Sequence, residues 1–157
     1  GKVRRSRIYY FKELRGKKGD LYDNVVARIG ELSDSNISGE EEKIMFEVCR
    51  LLQAPIRISI MAVRIPIEMG HSVHLRIEYK QAINISQAIE LLRSCPYIEL
   101  YTDGVPQPRF VKKSNLVHVG RLRQIRDCVL DLWVVSDNLY RGAAGNVCGI
   151  LDQLIAL

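Results

Sequence analysis

Residues 115–137 read NLVHVGRLRQIRDCVLDLWVVSD and contain two stretches rich in Val, Leu and Ile, with only three residues between them. Short apolar stretches bounded by polar residues are typical of strands, so we predict strands at 115–125 and 129–137. Two strands in a row, with no helix between them, favour a sheet that is largely antiparallel or mixed.

The elements on either side complete an α+β pattern. Ser38 and Glu41 form a capping box, which predicts a helix over 39–52 that ends before Pro55. Residues 72–80 alternate between apolar and polar, as in a strand with one polar face. The other predicted elements are strands at 57–66 and 96–101, a helix at 85–94, and a last helix at 138–157 that Asp137 caps. This order predicts an α+β fold with a mixed, largely antiparallel sheet covered by helices.

The basic residues are concentrated at the N-terminus. Residues 1–18 hold eight of the 23 Lys and Arg residues but only one of the 18 Asp and Glu residues, so the rest of the chain is close to neutral. A basic arm could bind the phosphates of a nucleic acid. Neither an aromatic platform nor a helix-turn-helix pattern accompanies it, so we predict no nucleic-acid partner and keep such binding as the alternative. We divide the chain into a basic segment, 1–20, and a folded domain, 21–157.

Several classes of protein are disfavoured by what the sequence lacks. No apolar run reaches the roughly 18 residues of a membrane span, so we predict no membrane partner. The four cysteines form no C-x-x-C pair and no zinc-type spacing with histidine, so we predict no metal site and a reducing cytoplasm. The sequence contains neither a G-x-G-x-x-G nor a G-x-x-x-x-G-K-[ST] motif for binding phosphates.

The stretch RIPIEMGHS, residues 64–72, places an arginine seven residues before a histidine. An arginine can hold a carboxylate by two parallel hydrogen bonds, and a histidine can move a proton near neutral pH. If a tight connection joins two neighbouring strands here, Arg64 and His71 lie at one sheet edge and form a site. The alternative is an arginine in a structural ion pair and a histidine at a turn.

Four segments, in order, resemble aspartate-semialdehyde dehydrogenases. AVRIPIEMGHS is similar to that family's substrate-arginine and base-histidine segment, and SGEEEKIMFEVCRLL to its helix with an E-x-x-K pair. VGRLR and LWVVSDNLYRGAAGN are similar to its closing segments. The resemblance covers roughly residues 21–157, which correspond to the family's C-terminal catalytic and dimerisation domain. The fold implied is that of the second domain of glyceraldehyde-phosphate dehydrogenases.

The resemblance implies a role for five residues. Arg64 would clamp the substrate carboxylate, Glu40 would meet its amino group, and Lys43 would hold inorganic phosphate. His71 would be the general base, and Asn138 would lie near the nicotinamide of NADP. From the residues alone, Glu40 and Lys43 are more typical of a surface pair on a helix, and Asn138 is more typical of a residue at a helix start.

The implied reaction is the NADP-dependent interconversion of aspartyl phosphate and aspartate semialdehyde, in amino-acid biosynthesis. The family's catalytic cysteine follows an asparagine in the preceding half of the enzyme, and no cysteine here follows an asparagine. We therefore expect that half to bind most of the NADP, this chain to be inactive alone, and the sheet to form a homodimer. The alternatives are a non-catalytic interaction module and a relative of N-acetylglutamyl-phosphate reductase.

Overall fold

A computed structural model describes residues 24–155. The chain divides into two compact units, with the boundary between Ile67 and Glu68. The basic segment and the predicted boundary at residue 20 lie outside the described residues, so that division stays a prediction. Each unit is described separately below.

Among its described residues, 24–67, the first unit contains one helix, α1, at Gly39–Leu51, which confirms the predicted helix to within a residue. The first backbone N–H groups of a helix have no partner within it. Here Gly39 N donates to Glu31 O at 3.1 Å, and Glu40 N donates to Ile29 O at 3.3 Å. Ser38 is the N-cap, and its backbone N–H donates to Glu41 Oε2 at 2.7 Å. The helix start is thus fixed by backbone carbonyls and by one carboxylate.

The predicted strand at 57–66 is wrong. Within the part of the chain that the structure describes, these residues form no ladder, and their one sheet-like contact is an isolated antiparallel bridge between Arg64 and Val26. The segment is nevertheless one-sided, because Ala62 is buried while Met61 and Val63 on either side of it are exposed. The β-branched residues favour an extended chain, but a strand also needs a continuous partner. Among residues 24–67 the segment has none.

The second unit contains a four-stranded sheet, β1 (His71–Glu78), β2 (Ile98–Leu100), β3 (Val117–Arg126) and β4 (Val129–Ser136). The strand order is β1-β4-β3-β2, and only the β2–β3 pair is parallel. All four strands were predicted, with ends shifted by at most two residues. The mixed, largely antiparallel sheet of the predicted α+β fold is confirmed.

Two helices accompany the sheet. Helix α2, Ile85–Ser94, lies where it was predicted and packs against β2. The side chain of Asn84 caps it by accepting from Ser86 N at 2.9 Å. The last helix begins with a π-helical turn, Tyr140–Ala144, and continues as α3, Gly145–Ile155. No helix among the described residues is both long enough and apolar enough to cross a membrane.

A buried carboxylate joins three strands on one face of the sheet. Asp131 on β4 is 1% exposed and accepts hydrogen bonds from Arg76 Nε and Nη2 at 2.8 and 2.9 Å. Arg123 on β3 donates a third at 3.0 Å, and His74 Nε2 lies 3.4 Å away. The hydrogen bonds from Arg76 hold the pKa of the Asp131 carboxyl well below its ordinary value of 3.8. This charge cluster ties β1 and β3 to the central strand.

The Asp131 cluster predicts a specific dependence of stability on pH. Because the pKa in the folded protein is lowered, the carboxylate stabilises the fold above about pH 4, and this contribution is lost as the pH falls further. In Asp131→Asn we expect a lower urea midpoint at pH 7 and a smaller further loss on acidification. The fluorescence of Trp133, the single tryptophan, reports unfolding of this unit.

Glu90→Gln, on the exposed side of α2, is the matched control and should keep the wild-type profile. An acid-side profile of Asp131→Asn that equals the wild type would contradict this assignment.

Candidate active site

His71 is the first residue of β1 and lies directly opposite Ser136, the last residue of β4. Its side chain is exposed. The preceding residue, Gly70, has φ +101°, in the region that favours glycine. A Cβ at Gly70 would approach Pro108 Cβ to 3.2 Å and Ser136 O to 3.3 Å. The candidate base therefore follows a turn in which a side chain would be crowded.

Asn138 lies at the same end of the sheet. Its Oδ1 accepts a hydrogen bond from Gly70 N at 3.2 Å, although 68 residues separate the two in sequence. Among the described residues, its Nδ2 makes no hydrogen bond. The structure thus brings together His71 and Asn138, two of the five predicted site residues, and it leaves one amide donor of Asn138 available.

Asp137 fixes the turn that carries Asn138. Its carboxylate is 1% exposed, and its Oδ1 accepts from Leu139 N at 2.8 Å and Tyr140 N at 3.1 Å. Its Oδ2 accepts from Lys113 N at 2.9 Å. The N-cap of the π-helical turn is Leu139, so the prediction that Asp137 caps the last helix is wrong by two residues. The Asp137 carboxylate instead holds the turn that precedes this helix, and it also holds the loop before β3.

That loop, residues 105–113, supports the His71 turn. Trp133 Nε1 donates to Pro106 O at 3.1 Å, and Lys112 Nζ pairs with Glu68 Oε2 at 2.9 Å. Val111 is 1% exposed and anchors the loop in the core. Sequence reasoning treated this segment only as a connection. The signal that could have revealed its role was the pair of prolines, which stiffen a loop.

Glu40, Lys43 and Arg64 lie in the first unit. Glu40 and Lys43 are on the first turns of α1, and Arg64 pairs through its backbone with Val26, at N–O distances of 2.8 and 3.0 Å. The neighbour of Glu40, the buried Glu41, accepts from Ala62 N at 2.7 Å and so ties α1 to the segment that leads to Arg64. The backbone N–H groups of Ser38 and Ala62 lower the pKa of the Glu41 carboxyl.

Among the described residues, Arg64 belongs to no strand and β1 pairs with β4, so the strand connection that would bring Arg64 and His71 to one sheet edge is not formed. The two groups of residues are each held within their own unit. Whether Glu40, Lys43 and Arg64 form one site with His71 and Asn138 therefore stays a prediction.

Sequence reasoning missed a buried polar network around His118. This histidine is 4% exposed, and its Nε2 lies 2.8 Å from Ser114 Oγ. Its Nδ1 lies 3.1 Å from Glu99 Oε2 and 3.2 Å from the Tyr101 hydroxyl. Burial lowers the pKa of His118, and the nearby Glu99 opposes that shift. Alternation along the strand places His118 on the face opposite Val117 and Val119, so no local pattern pointed to its burial.

A cavity of about 750 Å³ is lined by the residues that follow Asn138. The Arg141 guanidinium lies over the Tyr97 ring, 4.1 Å from its centroid, in a cation–π contact. Leu139, Asn115 and Cys148 line other parts of the cavity. The turn that presents Asn138 thus borders an open space large enough for part of a small molecule.

Comparison with known proteins identifies a family model. Residues 12–141 match the model described as "Semialdehyde dehydrogenase, dimerisation domain". The aspartate-semialdehyde dehydrogenase of Rickettsia conorii is 30% identical over 155 residues, which are 94% of this chain and 46% of that protein. The chain therefore spans about half the length of the relatives that it matches.

Solved structures show the same fold. A crystal structure of aspartate semialdehyde dehydrogenase II from Vibrio cholerae, complexed with ASA, has a TM-score of 0.80 and 30% identity, over 87% of this chain and 42% of that one. A crystal structure of the enzyme from Candida albicans with NADP has a TM-score of 0.65 and 25% identity, over 81% of this chain and 43% of that one.

Replacement of Gly70 tests the turn that precedes His71. Gly70→Ala forces a side chain into a left-handed conformation and against Pro108, so we expect the free energy of unfolding to fall by about 2 kcal/mol or more. Gly104→Ala is the control, since Gly104 has φ +75° but nothing lies within 4 Å of its Cβ position. It should cost about 1 kcal/mol, from backbone strain alone.

Urea unfolding followed by Trp133 fluorescence measures both variants. Equal losses for the two alanines would mean that Pro108 and Ser136 do not crowd Gly70.

Proposed function

Because the chain belongs to the semialdehyde dehydrogenase dimerisation-domain family, we propose that it forms the substrate-binding and dimer-forming part of an NADP-dependent aspartate-semialdehyde dehydrogenase. The observation that carries the proposal is the hydrogen bond between Gly70 and Asn138. It joins the G-H-S and D-N-L segments, which resemble the family's base and cofactor segments. The reaction would reduce aspartyl phosphate to aspartate semialdehyde and release phosphate, in the cytoplasm.

Substrate binding is assigned to the residues of the first unit. Arg64 would hold the substrate carboxylate by a bidentate contact, which the planar guanidinium suits. Glu40 would accept hydrogen bonds from the amino group, and Lys43 would supply a positive charge to phosphate. Glu40 is half-buried and Lys43 exposed, three residues apart on the same face of α1, so both can reach one small molecule.

Proton transfer is assigned to His71. A histidine at the end of an edge strand, with an exposed ring, can approach a nucleophile that another part of the enzyme supplies. It would accept the proton of the attacking thiol and return a proton as the reaction proceeds. The sequence of this chain has no asparagine–cysteine pair, so the thiol belongs to the other part of the enzyme.

Only one cofactor contact is assigned to this chain. Nδ2 of Asn138 makes no hydrogen bond among the described residues, and it is a donor of the kind that a nicotinamide carboxamide oxygen needs. No glycine-rich phosphate loop occurs in the sequence, so most of the NADP would be held elsewhere. When bound, the cofactor supplies the hydride.

A homodimer through the sheet accounts for the apolar face of β1. Val73 and Leu75 on the strand are 44% and 39% exposed, and Tyr79, the residue after its end, is 48% exposed. β1 is also an edge strand. An exposed apolar row on an edge strand is a common site of association, and the matched model describes a dimerisation domain.

Complementation tests the activity. The chain is mixed with a nucleotide-binding half that carries the family's cysteine, and phosphate-dependent NADP reduction by aspartate semialdehyde is followed. Arg64→Leu should raise KM for the semialdehyde at least about thirtyfold, since a desolvated charge loses its partner. His71→Gln should lower kcat roughly 100-fold or more.

Arg57→Leu, an exposed arginine seven residues before Arg64, is the matched control and should leave both constants unchanged. A normal KM in Arg64→Leu would contradict its role in substrate binding, and a normal kcat in His71→Gln would contradict its role in proton transfer.

Sedimentation equilibrium tests the dimer. Leu75→Asp places a charge in the proposed interface, so we expect the dimer dissociation constant to rise at least about tenfold. Leu91→Asp, which alters an exposed leucine of α2, is the control and should change it little. If Leu91→Asp weakens the dimer and Leu75→Asp does not, the interface lies on α2 and not on β1.

A further inference from the structure

The structure gives Asn138 a contact that its assigned role does not use. A residue that only binds the nicotinamide needs its amide donor, Nδ2. The carbonyl oxygen, Oδ1, is instead occupied by Gly70 N at 3.2 Å. The Oδ1 atom of Asn138 thus binds the Gly70 turn, whereas its Nδ2 atom is the one that the cofactor role requires.

The hydrogen bond from Gly70 to Asn138 lies immediately beside the candidate base, His71. Gly70 and His71 are consecutive, and His71 is already paired with Ser136 across the sheet. Glycine is the most flexible residue of the chain, so a turn at φ +101° needs an outside contact to hold one conformation. The Asn138 carbonyl supplies that contact on one side, and Pro108 packs against Gly70 on the other.

The support for Asn138 is itself rigid. The adjacent Asp137 carboxylate binds three backbone N–H groups, from Lys113, Leu139 and Tyr140. One buried carboxylate therefore fixes both the turn that presents Asn138 and the loop that contains Pro108. Because the backbone around Asn138 is fixed in this way, its side chain can hold Gly70 in one conformation.

We propose that Asn138 is a positioning residue for His71, which it orients by holding the Gly70 turn through its side-chain carbonyl. The inference rests on the proposed function for the identity of His71 as the base. It extends that function, because Asn138 acts on proton transfer as well as on the cofactor. Loss of its carbonyl should lower kcat, whereas loss of its amide donor should affect the KM for NADP.

Two variants separate these roles. Asn138→Ala removes both the acceptor and the donor, whereas Asn138→Asp keeps an acceptor for Gly70 N and loses the donor. In the complemented enzyme, we expect Asn138→Ala to lower kcat about tenfold or more, and Asn138→Asp to recover most of that loss. Asn146→Ala, which alters an exposed asparagine of α3, should change neither constant.

The contact is also measured on the 157-residue chain alone, by hydrogen exchange of the Gly70 amide. Exchange should be at least about tenfold faster in Asn138→Ala and near wild type in Asn138→Asp. Unchanged exchange in Asn138→Ala would overturn the inference, and so would a raised KM for NADP with normal kcat in both variants.

The kinetics of the complemented enzyme and the hydrogen exchange of Gly70 test the two proposals independently. A complemented wild type without activity would reject the proposed function. The exchange of Gly70 would then still decide whether Asn138 holds the turn.

Discussion

The carboxylate of Asp137 is the constraint on which the ordered end of the sheet depends. A buried carboxylate is costly unless it is fully hydrogen-bonded, and here three backbone N–H groups satisfy it. Those groups come from the loop before β3 and from the start of the last helix. The end of β4 is thereby locked to both, and the candidate base lies directly opposite that end.

The first unit uses the same device. Glu41 is 6% exposed and accepts hydrogen bonds from the backbone of Ser38 and of Ala62, each at 2.7 Å. One carboxylate thus completes the start of α1, where Glu40 and Lys43 lie, and holds the segment that leads to Arg64. In both units a buried acid binds backbone donors beside residues proposed to meet the substrate. The site residues themselves stay accessible, because other groups position them.

The sequence predicted those elements whose own residues determine them. Helix α1 followed from its capping box, β1 from the alternation of apolar and polar residues, and β3 and β4 from short apolar stretches. The segment 57–66 has an apolar composition similar to that of the strands and was predicted as one, but it forms no strand. A ladder depends on a partner strand, which composition does not reveal. The α+β class survived this error, because the consecutive strands β3 and β4 decide it.

The residues of the candidate site could be predicted from the sequence, but the contacts that hold them could not. Residue type and spacing pointed to Arg64 and His71, and the family resemblance added Glu40, Lys43 and Asn138. The bond between Gly70 and Asn138 spans 68 residues, so no local pattern could predict it. The same holds for the tie between Glu41 and Ala62 and for the His118 network. These contacts become visible only once the chain has folded.

We propose that Arg64, with Glu40 and Lys43, binds a small acidic substrate, and amide NMR of the 157-residue chain tests this proposal most directly. Titration with phosphate and with L-aspartate, a stable substrate analogue, should give saturable shifts at Glu40, Lys43 and Arg64, and Arg64→Leu should lose the aspartate response. No saturable shift at these three residues, or a normal aspartate response in Arg64→Leu, would contradict the proposal.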